Sequence, residues 1–107
     1  MDGVTQLKQW WVYMIRTSNG QLYTGITTDI QRRWREHLSG KRGARYFRAH
    51  TPQGLCFLEQ HPDRSSASKR EAAIKKLVKT DKELLVQACQ IADELHQQLT
   101  QQTIPNL

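Results

Sequence analysis

The side chains of this sequence whose types and spacing suggest chemistry are Tyr13, Tyr23, Arg33, His37 and Glu71. Arg33 and His37 stand four residues apart, so on a helix they share one face. Cleavage of a phosphodiester bond needs an activated water, a divalent cation and positive charge near the developing charge on phosphorus. Neighbouring positive charge also lowers the pKa of a tyrosine. The five side chains together offer a candidate for each of these roles.

Each of these residues also has an ordinary structural explanation. Glu71 stands three residues before Ile74 on the apolar stripe of a predicted helix, where a carboxylate is costly unless it is paired or binds a cation. The alternative is a glutamate that the helix dipole favours and that pairs with Lys75. In the same way, Arg33 alone fits a solvated charge or a phosphate contact, and His37 alone fits a packed histidine.

The two tyrosines lie on the arms of a predicted β-hairpin, "VYMIRTSNGQLYTG", around an Asn-Gly pair. A two-residue loop, Asn19-Gly20, would place Tyr13 and Tyr23 on opposite faces of the sheet, because side chains alternate along a strand. A three-residue loop, Asn19–Gln21 with a bulge, would place them on one face. Since one site needs both rings on one face, we predict a bulged or odd-length turn.

The predicted elements follow the order β-β-α-β-α-α. The strands are expected at Trp10–Ile15, Leu22–Thr27 and Leu55–Gln60, which are rich in β-branched and aromatic residues. Three strands need helices to cover them, so the expected fold class is α+β, a three-stranded antiparallel sheet flanked by helices. We expect a single domain over residues 10–99, a loose segment over 1–9 and a frayed tail over 100–107.

The helices have recognisable start signals. Thr28 or Asp29 can cap the first helix, and Asp63, Ser65 or Ser66 the second. The run Thr80–Glu83 predicts a capping box for the third. The helical spacing places four side chains of the first helix on its inward side; they are Ile30, Trp34, His37 and Leu38.

The basic residues concentrate in the middle of the chain. Lys plus Arg number 16 against 10 for Asp plus Glu, a formal net charge of +6. This excess favours a polyanionic partner, most often nucleic acid. The residues expected to contact its backbone are Arg32, Arg35, Lys41, Arg42, Arg45, Arg48, Lys69 and Arg70. The sequence shows neither a transmembrane run nor a signal peptide, which predicts a cytoplasmic protein without a membrane partner.

The ordered motifs resemble the GIY-YIG nuclease superfamily, and most of all its small stand-alone bacterial members. The first motif reads "WVY" (Trp11–Tyr13) and the second "YTG" (Tyr23–Gly25). The helix "DIQRRWREH" then carries Arg33 and His37, and the later helix "SASKREAAIKKL" carries Glu71. The resemblance covers roughly residues 10 to 85 and includes the order of the elements.

The resemblance implies a role for each matching position. Tyr23 would be the general base or would position the water, and Tyr13 would assist in the same pocket. Arg33 would stabilise charge on the transferring phosphate, and His37 would contact the phosphate or a metal-bound water. Glu71 would hold one divalent cation, Mg²⁺ or Mn²⁺.

The expected function is therefore metal-dependent hydrolysis of DNA by an endonuclease or exonuclease, in repair or recombination. One alternative is a nucleic-acid-binding module on the same scaffold with weak or no catalysis, which the basic and aromatic residues alone would support. A second is a basic structural partner of a larger assembly. Duplex, single-stranded and branched DNA, and RNA, all remain open as substrates.

Overall fold

The structure, a computed structural model, describes residues 9–39 and 50–89 and positions 94 and 97. Its elements are β1 (Trp10–Thr17), β2 (Leu22–Thr27), α1 (Ile30–Ser39), β3 (Pro52–His61), α2 (Arg64–Lys75) and α3 (Lys79–Ala88). The order β-β-α-β-α-α and the α+β class are as predicted. Apart from residue 9, the predicted loose segment and the predicted tail lie outside the described residues. No described helix is long and apolar enough to cross a membrane.

The central position of β1 divides the core into two clusters. The sheet is antiparallel with the strand order β2-β1-β3, and alternate side chains of β1 point to opposite faces. The cluster on the α1 face comprises Tyr13, Ile15, Ile30, Trp34, Leu55 and Leu58. The cluster on the α2 face comprises Val12, Met14, Phe57, Ala67 and Ile74. The α1 face is therefore the one that carries the tyrosines.

The hairpin turn has three residues, Ser18–Gly20. The N–H of Thr17 donates to the C=O of Gln21, and the N–H of Gly20 donates to the C=O of Thr17, both at 2.9 Å. Gly20 adopts a positive φ of 85°, as the last loop residue of such a bulged turn requires. The odd-length turn is confirmed, although it begins one residue earlier than the predicted Asn19–Gln21.

The register that follows from this turn pairs Tyr13 with Gly25 and Ile15 with Tyr23. Tyr13 and Tyr23 are therefore two residues apart on the same face, as a shared site requires. The predicted second strand is confirmed with its bounds, whereas β1 and β3 extend beyond their predicted ends.

Helix α1 begins at Ile30, and Asp29 caps it. The Oδ1 atom of Asp29 accepts a hydrogen bond from the backbone N–H of Arg32 at 3.0 Å. Of the four residues predicted to face inward, the first three are buried, but the Leu38 side chain is 50% exposed. The buried positions repeat at four and then three residues, and the position after His37 falls outside that stripe.

The capping box predicted for the last helix is wrong. Helix α3 begins at Lys79 behind Val78, and no side chain caps it. The carboxylate of Glu83 instead takes a bidentate pair of hydrogen bonds from Arg16 of β1, at 2.8 and 2.6 Å. A bidentate guanidinium–carboxylate pair is stronger than a bond to one backbone N–H, so Glu83 pairs with Arg16 and does not cap the helix. It ties α3 to the hairpin.

The outer edge of β3 meets a thiol from the end of α3. The Sγ atom of Cys89 accepts from the N–H of Leu58 at 3.4 Å and donates to its C=O at 3.6 Å. Cys89 and Cys56 are both free and half-buried. The backbone of the edge strand is thus partly satisfied by sulfur at this point.

The turn provides a test of the hairpin. We expect Gly20→Ala to lower the free energy of unfolding by about 1–2 kcal/mol, because the left-handed conformation is strained for a side chain. An added Cβ meets no atom within 4 Å, so crowding makes no contribution. Gly20→Asn should lose less, since Asn tolerates this conformation. Urea unfolding measures both variants, and equal losses would contradict the assigned turn.

Candidate active site

Three aromatic rings from β1, β2 and α1 meet on the α1 face of the sheet. The ring centroids of Tyr13 and Tyr23 lie 6.3 Å apart, those of Tyr13 and His37 5.7 Å, and those of Tyr23 and His37 5.3 Å. Tyr13 and His37 are each 1% exposed, whereas Tyr23 is half-buried. Tyr23 is therefore the member of the group that a substrate reaches first.

The hydroxyl of Tyr13 joins Arg33 to His37. Its oxygen lies 2.8 Å from Nε2 of His37 and 3.4 Å from Nε of Arg33. A guanidinium only donates, so the phenol oxygen accepts from Arg33 and its own proton is left to donate to His37. This direction requires Nε2 of His37 to be without a proton.

Burial sets the protonation of this group. It raises the pKa of Tyr13 above its usual value, against the lowering effect of Arg33. Burial, and then the positive charge of Arg33, lowers the pKa of His37 to about 4. Both side chains are therefore neutral near pH 7, which is the pairing that a phenol donating to an imidazole requires.

Arg33 is held at the edge of the cluster by Glu36. Its Nη1 lies 2.9 Å from Oε1 of Glu36, and its side chain is 21% exposed. Burial alone lowers the pKa of Arg33, but hydrogen bonds to Glu36 and Tyr13 raise it above its ordinary value. The guanidinium thus stays charged and is fixed in direction.

Gly25 makes room for the ring of Tyr13, its partner in the register. A Cβ added to Gly25 would lie 2.5 Å from the Tyr13 hydroxyl and 2.7 Å from Cζ. Any side chain here would push the phenol away from His37 and Arg33. Gly25, the glycine of the "YTG" motif, therefore belongs to the site because its missing side chain leaves room for the Tyr13 ring.

Glu71 lies on α2, which packs on the other face of the sheet. Its side chain is 22% exposed, and Oε2 lies 3.0 Å from Nζ of Lys75. Both predicted features are present, the partial burial and the pair at four residues. Its negative charge contributes to raising the pKa of Tyr13, after burial and Tyr23. Tyr13, Tyr23 and His37 are in mutual contact, and Arg33 contacts Tyr13, whereas Glu71 lies apart from this group.

The donor set fits a cation that brings most of its own ligands. No group of three or more His, Cys, Asp or Glu side chains is gathered among residues 9–39 and 50–89. Mg²⁺ is often held by one or two carboxylates, several waters and substrate phosphates. The Glu71 carboxylate already takes a cation, the Lys75 ammonium, at 3.0 Å. One such cation fits at Glu71.

The structure places the predicted backbone contacts in different settings. Arg35 and Lys69 are exposed, and Arg32 is exposed with its Nε 3.7 Å from Glu36. Arg70 is half-buried and paired with Glu59 at 3.0 Å. The remaining four lie outside the described residues; they are Lys41, Arg42, Arg45 and Arg48.

Two residues of the site were missing from the sequence-based set. Glu36 stands three residues after Arg33 on the same helix, and this spacing is a signal for an ion pair. Gly25 stood within the second motif, but its role depends on the register with Tyr13. The contact of His37 with the phosphate or a metal-bound water stays a prediction; in the structure its buried ring bonds to Tyr13.

Comparisons with known proteins identify the family of the chain. The model of the GIY-YIG catalytic domain matches residues 9–84. A UPF0213 protein of Desulfotalea psychrophila is 51% identical over 78% of this chain and 76% of its own length. UPF0213 protein YhbQ of Salmonella typhimurium is 49% identical over 72% and 76%. The solution NMR structure of a UPF0213 protein from Bacillus halodurans is 38% identical, with a TM-score of 0.49 over 75% of this chain and 84% of that one.

Gly25→Ala tests the close contact with Tyr13. We expect the free energy of unfolding to fall by about 1–3 kcal/mol, because the new methyl group overpacks a filled space. We also expect the NMR signals of the Tyr13 and His37 rings to shift as their hydrogen bond is lost. Gly20→Ala is the matched control, since it strains the same hairpin without touching the site. Unshifted ring signals in Gly25→Ala would contradict the geometry.

The lowered pKa of His37 predicts a dependence of stability on pH. Between about pH 6.5 and 4 the unfolded chain binds a proton on this ring and the folded chain does not, so stability falls as the pH falls. The contribution is on the order of 3 kcal/mol, at about 1.4 kcal/mol per pKa unit. Urea unfolding from pH 7 to 4 measures it, with His37→Gln as the variant that lacks it. Parallel pH profiles for the two proteins would contradict the assignment.

Proposed function

This chain belongs to the GIY-YIG family, and on that premise we propose that it hydrolyses phosphodiester bonds in DNA with the help of one divalent cation. The observation that carries the proposal is the contact of Arg33 and His37 with one tyrosine hydroxyl, that of Tyr13, directly behind the more exposed Tyr23. A fixed positive charge beside a proton-accepting group is the arrangement that phosphoryl transfer needs.

Tyr23 is the side chain that meets the attacking water or the phosphate. It is half-buried, and its ring lies edge-on to His37 at 5.3 Å. Tyr13 stands behind it, protonated and donating to His37. We propose that Tyr23 orients the attacking water through its hydroxyl, or takes the water proton in its phenolate form, and that the Tyr13–His37 pair fixes its position.

Arg33 supplies the positive charge beside the phosphate. Its guanidinium is tied to Glu36 and Tyr13, so it is oriented before substrate arrives. Such preorganised charge is the largest contribution in many enzymes, and loss of one group costs on the order of 10²–10³ in kcat. A lysine in its place keeps the charge but loses the planar fork that directs it.

Glu71 is the residue that would hold the cation, Mg²⁺ or Mn²⁺. When bound, such a cation neutralises charge on a phosphate oxygen and lowers the pKa of a bound water. Lys75 then gives up its place at the carboxylate and is available to the substrate backbone. The net charge of +6 supports a polyanionic substrate. We propose that this substrate is DNA and that the protein acts in the cytoplasm, in repair or recombination.

The deciding experiment is cleavage of plasmid and branched DNA with Mg²⁺ or Mn²⁺. We expect Glu71→Gln and Tyr23→Phe to reduce kcat by on the order of 10²-fold or more, and Arg33→Lys by a similar factor. The matched control is Glu94→Gln at an exposed position, which should cleave like wild type.

Two outcomes would decide against hydrolysis. If wild type cleaves DNA no better than Glu71→Gln does, the nuclease proposal fails. Binding of DNA with a steep dependence on salt but no cleavage identifies a nucleic-acid-binding module instead. Urea unfolding of each variant separates loss of function from loss of fold.

A further inference from the structure

A second basic feature lies beside the start of β2, away from the tyrosine cluster. It is a depression of about 300 Å³ lined by Gln21, Leu22, Lys79 and Lys82. Gln21 and Leu22 come directly before Tyr23 on the chain. Leu22 packs against the α2-face cluster whereas Tyr23 packs against the α1-face cluster, so the depression lies at the edge of β2 on the face opposite to Tyr23.

The lysines of this depression are held in place by the hairpin. Nζ of Lys79 donates to the C=O of Gly20 at 3.1 Å, which uses one of the three N–H donors of the ammonium. The bidentate pair of Arg16 with Glu83 fixes the same turn of α3 against β1. Lys79 and Lys82 therefore lie on a helical turn that is fixed against the hairpin.

The charge around the depression is positive. Glu83, the carboxylate beside these lysines on α3, is neutralised by Arg16. Within the described residues, Lys79 and Lys82 form no salt bridge with any carboxylate. Asp81 is the acidic residue of the same helical turn, and it is exposed. Two lysines against one solvated aspartate leave a net attraction for anions.

Another depression in the described part of the chain offers a contrast. It has a volume of about 450 Å³, lies beside β3, and is lined mainly by apolar side chains. Its basic residue, Arg70, is paired with Glu59 at 3.0 Å. That depression has no net positive charge to offer a polyanion, whereas the one beside β2 does.

We propose that the Lys79–Lys82 depression binds a backbone phosphate of the nucleic-acid substrate, away from the phosphate that is cleaved. β2 is an edge strand, so a nucleic acid at this open edge reaches Tyr23 on one face of the sheet and the depression on the other. The inference rests on the proposed nucleic-acid substrate and adds a place where its backbone is held.

The test measures binding without cleavage. A fluorescein-labelled DNA duplex is titrated in EDTA by fluorescence anisotropy over a series of salt concentrations. For Lys82→Ala we expect the slope of log K against log salt to become shallower by about 0.9, the value for one lost phosphate contact. That corresponds to about eightfold weaker binding at 0.1 M salt if the two curves meet at 1 M. Lys79→Ala should show a similar change.

Two further variants separate position from charge. Lys76→Ala removes one positive charge from an exposed lysine just before this turn and should leave the slope close to wild type. Lys82→Arg keeps the charge and should restore it. An equal loss in Lys76→Ala and Lys82→Ala overturns the proposal, because the effect would then be one of net charge. An unchanged slope in Lys82→Ala overturns it as well.

The result is distinguishable from failure of the proposed hydrolysis. If wild type cleaves DNA, Lys82→Ala should lower kcat/KM with kcat nearly unchanged, because the lysine binds substrate and does not touch the reacting atoms. If wild type binds with a slope that depends on Lys82 but cleaves nothing, this phosphate site stands and hydrolysis fails. Displacement of the duplex by equimolar inorganic phosphate would overturn the site, since it would then be one for free phosphate.

Discussion

The close packing of the Tyr13 ring over Gly25 is the constraint on which the rest of the site depends. The odd-length turn sets the register, the register places the ring opposite a residue without a side chain, and the ring then reaches His37 and Arg33. A shift of one residue would turn one of the two tyrosines to the opposite face. The hairpin therefore determines both the backbone pairing and the hydrogen bonds of the site.

The polar group behind Tyr23 is inexpensive to bury because it is neutral and internally bonded. A phenol donating to an imidazole pairs the Tyr13 hydroxyl with Nε2 of His37 without a net charge in the core. The positive charge of the cluster remains at the margin, on Arg33, where Glu36 balances it and solvent reaches it. This separation lets the fold keep a well-packed α1 face and still present a directed cation.

The sequence was sufficient for the order of elements, the fold class and the shared face of the tyrosines. An odd number of loop residues was predictable because both tyrosines had to lie on one face of the sheet. The residue at which the loop begins was not, because Gly20 is the third loop residue instead of the second. The capping box at Thr80 failed for a reason that local sequence does not contain. Arg16, distant in the chain, offers Glu83 a stronger partner.

Glu71 shows a further limit of the sequence pattern. Its spacing predicted both partial burial and a pair with Lys75, and both occur together. The pattern could not rank metal binding against the ion pair, because either one satisfies an inward carboxylate. The role of Gly25 could not be predicted either, because it depends on which residue of β1 is paired with Gly25.

The bond between Cys89 and Leu58 has a consequence for association between molecules. An edge strand offers its open N–H and C=O groups to the edge of another copy, and proteins block this route in various ways. Here a thiol occupies that position on β3. A thiol both accepts from and donates to the open groups of Leu58, so at this one residue the edge of β3 has nothing left to offer a second copy.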